Sequence, residues 1–332
     1  MKVHRILIPI LALLLSSDGY GQVVSQGVES GPPTVRAEAN AAGVFREDLA
    51  RRIAFEEAAV RREESEHAPD VEVARTYAQL GLLYQDAAQW ARSEAVMEHA
   101  LSLLRHAPEP GETLAAILSQ LGVLHVMMGK LRESEKEEQE GLKLRQQLGD
   151  HLQIAQSWNN LAALSLSQHK YEKARDYAQE AVAEFVANRR ASAVDRITAR
   201  YTLGLAICYL KDCLAAVPVI RAAVDEAKAQ LGPNDFPIGV GIFLLGYTYW
   251  KSGNMLDAGP YLADGTSTMS RQLGWGHPTY LSALRQYAQF LHENRQVEAA
   301  DVVERRIRQA EAVVDVHSIQ AGQGMFRSDG LR

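Results

Sequence analysis

Several classes of protein are excluded by what this chain has little of. It has no basic excess: 35 Lys and Arg face 41 Asp and Glu, for a formal charge of −6. Basic side chains are not interleaved with aromatics either, so nothing here fits a nucleic-acid surface. The apolar run at the N-terminus is too short to cross a bilayer. The ten residues Ile6 to Leu15 fall well short of the roughly 20 that about 30 Å of hydrocarbon requires. The local signatures of catalysis are missing too: no His-Glu-x-x-His, no glycine-rich phosphate loop and no Gly-x-Ser-x-Gly elbow. Glycine and proline stand at ordinary levels, 24 and 11, so most of the chain is expected to fold. Cysteine is nearly absent, with only Cys208 and Cys213.

At the N-terminus, Lys2 and Arg5 precede the apolar run, and Ser16-Ser17-Asp18-Gly19-Tyr20-Gly21 follows it. A basic start, a short apolar stretch and small residues at a cut point are the parts of a secretory signal peptide. Residues 1–21 therefore read as a signal peptide and the mature protein as exported, periplasmic or secreted, without an integral membrane segment after cleavage. No cysteine follows the run to carry a lipid anchor.

The chain is organised around Asp150 to Ala187. Ile154, Trp158, Leu161, Ala162 and Leu164 form an apolar stripe at helical spacing, and Asp150 is placed to cap its start. After the polar break Gln168-His169-Lys170, a second stripe runs through Tyr171, Ala174, Ala178, Ala181, Val182 and Phe185. Small residues at Ala162, Ala174 and Ala181 allow two helices to approach closely, so the segment predicts an antiparallel helical hairpin. Its Leu-small pair recurs at Leu80-Gly81, Leu121-Gly122, Leu161-Ala162, Leu203-Gly204 and Leu245-Gly246, with a weaker echo at Tyr287-Ala288. The small residues lie 41, 40, 42, 42 and 42 apart. A near-fixed period of this size predicts a solenoid, in which each hairpin buries its apolar face against its neighbours.

Trp158-Asn159-Asn160-Leu161-Ala162, followed by Tyr171, Ala174 and Ala181, resembles the tetratricopeptide repeat. The longer period, with loops such as Leu231-Gly232-Pro233-Asn234-Asp235-Phe236-Pro237, is similar to the variant of kinesin light chains and many bacterial proteins. The resemblance spans roughly Val73 to Val314. It implies an all-α, right-handed superhelical solenoid of stacked antiparallel helix pairs, and a concave groove lined by the first helix of each pair.

In chain order, residues 22–40 read as a flexible leader and 41–72 as a capping helix or degenerate repeat. Hairpins follow over 73–314, at Val73–Glu109, Leu114–Leu148, Asp150–Asn188, Asp195–Leu231, Pro237–Leu273 and Pro278–Val314. Residues 315–332, with Gly322, Gly324 and Gly330 and no apolar period, read as a disordered tail.

Candidate chemistry is sparse. His125 falls where the family often places a core tyrosine and reads as a satisfied core histidine. His67 and His106 lie in inter-repeat loops without partners at metal-site spacing. The acidic run Glu133-Ser134-Glu135-Lys136-Glu137-Glu138-Gln139-Glu140 reads as a solvated face. Cys208 and Cys213 raise the question of a disulfide. Five residues along one helix separate Cα atoms by about 7.5 Å in rise alone, so two buried thiols are the favoured reading, although a turn would shorten that span.

Carried over from the family position by position, the groove lining comprises Asn159, Tyr201, Tyr209, Phe243, Tyr247, Trp250, Lys251, Arg285 and Gln289, with Gln85 and His292 beside them. Asn159 has both donor and acceptor for an extended peptide backbone. Ser119, Tyr201 and Phe243 at the same position of other hairpins interrupt an asparagine ladder. Phe243, Tyr247 and Trp250 share one helical face and form a hot-spot candidate. The expected function is a non-catalytic scaffold that binds a protein or extended peptide, with no cofactor and no metal. The alternatives are a self-associating structural subunit and an enzyme with an unrecognised site.

Overall fold

The computed structural model describes residues 35–324 except 88, 108–110, 234 and 274–276, with side chains described between residues 47 and 311. The signal segment, the leader as far as residue 34 and the chain beyond 324 lie outside the described residues. Within them are thirteen α-helices and no strand. The first, α1 (Val35–Ser65), is followed by six antiparallel pairs. These are α2 (Asp70–Asp86) with α3 (Trp90–Leu104), α4 (Gly111–Met128) with α5 (Leu131–Leu148), and α6 (His151–Ser167) with α7 (Tyr171–Ala187). Next come α8 (Ala193–Tyr209) with α9 (Cys213–Gln230), α10 (Phe236–Lys251) with α11 (Met255–Leu273), and α12 (Pro278–Glu293) with α13 (Val297–Gly324).

The register of the hairpins is set by one repeated turn. Each first helix ends in a loop whose last amide donates to a carbonyl five residues back, the longer bond of a Schellman motif. The pairs are Gln89 to Tyr84 at 2.8 Å, Lys130 to His125 at 2.8 Å, Lys170 to Ser165 at 2.8 Å, Asp212 to Ile207 at 3.4 Å, Asn254 to Tyr249 at 2.9 Å and Gln296 to Leu291 at 2.8 Å. The acceptors recur at the spacing of the small residues, three positions after each. Five of these turns carry a left-handed residue: Gly129, His169, Lys211, Gly253 and Arg295. Asp150 caps α6 as its position predicts, accepting from the amides of Leu152 and Gln153.

Close approach within a pair depends on the small residues. Ala162, Ala174 and Ala181 are fully buried. In the fifth pair, a Cβ on Gly246 would lie 2.7 Å from the Leu262 amide nitrogen, and one on Gly265 would lie 2.5 Å from that of Phe243. The two backbones therefore touch, and only glycine fits at either crossing.

α1 covers the open side of the first pair through Tyr84 Oη to Glu57 (2.5 Å), Thr76 Oγ1 to Glu63 (3.0 Å) and Tyr77 Oη to Glu64 (2.7 Å). Among the described residues one helix, α4, is long and apolar enough to cross a membrane, yet 67% of it is buried inside the solenoid, where it packs as a core helix.

Two expected boundaries move. α1 begins at Val35, inside the segment 22–40 expected to be a flexible leader, because Val35-Arg36-Ala37-Glu38-Ala39 contains no breaker after Pro33. α13 runs to Gly324, through much of the tail expected to be disordered from 315, because no proline or glycine interrupts it before Gly322.

Candidate functional site

The first helices carry the candidate positions, and their burial separates joint residues from surface residues. Asn159 is 3% exposed, Tyr201 and Phe243 are at 0%, Tyr247 at 2% and Trp250 at 3%. These five residues, expected to line an open groove, are instead inside the protein. Successive first helices pack on one another here, so side chains at these offsets fill the joint between hairpins. The Tyr201 hydroxyl donates to the Pro237 carbonyl of the next hairpin at 3.1 Å, and a Cβ on Gly241 would collide with its ring. Trp250 Nε1 donates to Glu293 at 2.8 Å, and its ring meets Phe290 edge-on at 5.8 Å. Phe243 packs against the α11 backbone at Gly265.

The rest of the expected lining does reach solvent. Tyr209, Lys251 and Gln289 are half-buried and Arg285 is exposed. Arg285 pairs with Glu311, Gln289 donates to Glu293 at 2.9 Å, and the exposed His292 meets Glu304 at 2.8 Å. Gln85 is half-buried, with its amide directed at the Met97 sulfur.

An aromatic row links hairpins three to five beside the turns that follow their first helices. Tyr171 stacks on Tyr209 with centroids 5.2 Å apart and planes 10° apart. The hydroxyls of Tyr209 and Tyr247 lie 3.2 Å apart, and the Tyr247 ring meets Trp250 edge-on at 5.9 Å. Lys251 lies over this floor, its Nζ 3.2 Å from the Trp250 centroid and 5.4 Å from that of Tyr247. Burial lowers the Lys251 ammonium below its usual range, with Glu293 opposing that shift. Burial also raises both tyrosines, Tyr247 to about 12, so the pair acts through neutral hydroxyls. The half-exposed part of this row is an aromatic surface with one cation resting on it.

The cysteines are bonded to each other, so the favoured reading of two thiols is overturned. They do not lie along one helix. α8 ends at Tyr209, Lys211 takes a left-handed conformation, and the chain reverses until the two Cα atoms are 3.7 Å apart. The same two register positions hold Leu166 and Tyr171 in the third hairpin, and Trp250 and Met255 in the fifth. Aligning the turns therefore points to the pair, whereas counting along a helix does not. Cys213 is half-buried, short of the core site expected for it.

The acidic run of α5 is not simply a solvated face. Glu138 is 1% exposed, at the core position that Met97, Ile220 and Leu262 occupy in other hairpins. It accepts from Ser119 Oγ at 3.2 Å and from Asn160 Nδ2 at 2.9 Å. Glu137 meets His125 Nδ1 at 2.7 Å, while Glu94 of the first hairpin meets Nε2 at 2.8 Å. His125 is a satisfied core histidine, held by a carboxylate on each nitrogen. Among the described residues no three His, Cys, Asp or Glu side chains converge as a metal site.

Residues 73–107 and 113–183 match the tetratricopeptide repeat family, covering the first three hairpins. Those three hairpins are tetratricopeptide repeats, and the remaining three continue them in the same register. Solved structures share its fold. A Rap protein complexed with competence and sporulation factor is 16% identical, with a TM-score of 0.65 over 86% of this chain and 78% of that one. The Rap conjugation gene regulator of plasmid pLS20, in complex with the Phr* peptide, is 14% identical, with a TM-score of 0.63 over 94% and 83%. BtubC (BKLC) from P. vanneervenii is 20% identical, with a TM-score of 0.55 over 68% and 93%. No curated protein matches the chain in sequence.

Proposed function

We propose that this protein is an exported, non-catalytic scaffold that binds a protein or extended peptide along the half-exposed side of the aromatic row in hairpins three to five and the adjoining polar side chains of hairpin six. The observation that carries this reading is Lys251, half-buried over Trp250 and Tyr247 beside the accessible edge of Tyr209. Aromatic side chains with a neighbouring cation are typical of binding hot spots. Two structures of the same fold are complexes, one with competence and sporulation factor and one with the Phr* peptide, which favours a peptide partner. Export is supported by the signal-like N-terminus and by the Cys208–Cys213 bond, since disulfides persist in oxidising compartments. In this reading Tyr209, Lys251, Gln289 and Arg285 contact the partner, while Asn159, Tyr201, Phe243, Tyr247 and Trp250 hold the surface in shape.

Self-association is a second reading with its own observation. Leu214, Leu256 and Val297 are 70%, 86% and 55% exposed at the starts of three successive second helices. Light scattering on the chain from Gln22, followed by selection from a displayed peptide library, tests both. The scaffold reading expects a monomer that enriches a peptide family and loses it in Tyr209→Ala and Lys251→Ala. A stable oligomer that disperses in Leu214→Ser/Leu256→Ser and enriches no peptide would replace it with the second reading.

A further inference from the structure

The second hairpin holds three buried ionisable side chains, His125, Glu138 and Arg145, and the first two face opposite neighbours. His125, 3% exposed, has a carboxylate at hydrogen-bond distance from each ring nitrogen: Glu94 of α3 at 2.8 Å and Glu137 of α5 at 2.7 Å. Only the imidazolium can donate to both, because a neutral ring would direct a lone pair at one carboxylate. The bond to Glu94 crosses from the second hairpin to the first, so this proton clasps the joint between them. Glu138 points the other way. Its carboxyl is enclosed by α4 and α6 and has two neutral partners: Asn160 Nδ2 donates to one oxygen, and the Ser119 hydroxyl, which can donate or accept, meets the other. A Cβ on Gly122 would lie 2.9 Å from its Cγ, so the side chain packs directly against α4. The bond from Asn160 crosses to the third hairpin.

We propose that the second hairpin is a proton-held joint: a proton on His125 clasps it to the first hairpin and a proton on Glu138 seats it against the third, so raising the pH loosens both faces together.

The surrounding charges agree in sign. Around His125 stand Glu94 from α3, Lys130 from the turn and Glu137 from α5, while Glu98 and Glu133 act on Lys130. Burial alone would lower the imidazole, but the two carboxylates outweigh it and raise it above its ordinary value. Around Glu138 stand Arg145 and Glu137 of its own helix, with Ser119 and Asn160 neutral. Burial raises this carboxyl to about 8, against the opposing pull of Arg145. Arg145 is itself held to Ser157 at 2.7 Å. A group that holds its proton more tightly when folded stabilises the fold below its unfolded pKa, and that stability is lost as pH rises towards the folded value. Both groups follow this rule, so their effects add instead of cancelling.

Amide exchange of the full chain between pH 6.5 and 8.5, corrected for intrinsic base catalysis, tests the proposal. Protection in α4–α6 should fall with pH by up to about tenfold per pH unit for each proton retained only in the folded state. Protection in α8 and α9 should stay level. Glu138→Gln, which mimics the protonated carboxyl, should reduce that slope in α5 and α6. Parallel slopes in both regions, or an unchanged slope in Glu138→Gln, would overturn the proposal. Should that variant fail to fold, an NMR titration of wild-type His125 and Glu138 decides: both must titrate above their ordinary values, and ordinary values would overturn it.

Discussion

Replacing Phe243 with alanine separates a groove surface from a joint more sharply than any binding assay. The ring is completely buried, on a helix whose backbone touches Gly265 of its partner. Truncation removes the whole side chain from an environment that cannot collapse, because two backbones already in contact have no slack. Transfer and cavity terms for a buried Phe→Ala together reach about 3–5 kcal/mol. A solenoid distributes such a loss over nearest neighbours, so the damage should concentrate in hairpins four to six. The assay is urea unfolding followed by far-UV circular dichroism, with amide exchange to locate the loss. Arg285→Ala is the control on the same face: exposed, with one surface ion pair, it should shift stability by about 0.5 kcal/mol or less. A Phe243→Ala variant as stable as Arg285→Ala would refute the burial argument and return Phe243 to the binding surface.

Two further outcomes follow from local geometry. Cys213→Ser opens a loop of sequence separation 5, and the entropy of closing so short a loop is about 2 kcal/mol. A matching fall in melting temperature should appear when the wild type is reduced with dithiothreitol, and no shift on reduction would mean the bond does not form in solution. His277 caps α12, its Nδ1 accepting from the Thr279 amide at 3.2 Å, and burial pushes its imidazole down to about 4. A depressed histidine keeps its stabilising role above pH 6.5 and loses it as pH falls towards 4. Because the residue as a whole is only half-buried, the acid loss at hairpin six should be about 1–2 kcal/mol. It should be flattened by His277→Asn, and an equal acid loss in that variant would remove the cap from the explanation.

The fold was legible because its determinants are local and repeated. Gly81, Gly122, Ala162, Gly204 and Gly246 mark where helices must touch, and a Schellman turn follows each three residues later in the same register. Helix ends were less legible. Val35–Asn40 and Asp315–Gly324 carry no apolar stripe, yet nothing in them stops a helix that has already begun. Glu138 was hidden by its neighbours. Amid seven other polar residues it looks solvated, and only the equivalence with Met97 and Leu262 shows that its position faces the core. The disulfide was hidden because helical rise alone separates the two residues too far, and how much the turn shortens that span is visible only in the structure.

The candidate site was half legible, for a reason that lies in the packing between hairpins. The same first-helix offsets that would line an open superhelix also face the next hairpin, and the side chains present decide which role prevails. In hairpins four and five these offsets carry Tyr201, Leu205 and Cys208, then Phe243, Tyr247 and Trp250, all buried. In the sixth they carry Arg285, Gln289 and His292, each paired within its own hairpin to Glu311, Glu293 and Glu304. The change from aromatic to charged side chains at one register position gives the sixth hairpin the polar outer face expected of a capping repeat. A sequence pattern locates the offsets but cannot measure how closely successive first helices pack. Tyr209 and Lys251, one position further on, stay half-exposed because that offset is rotated away from the joint, and there the solenoid still presents aromatic surface to a partner.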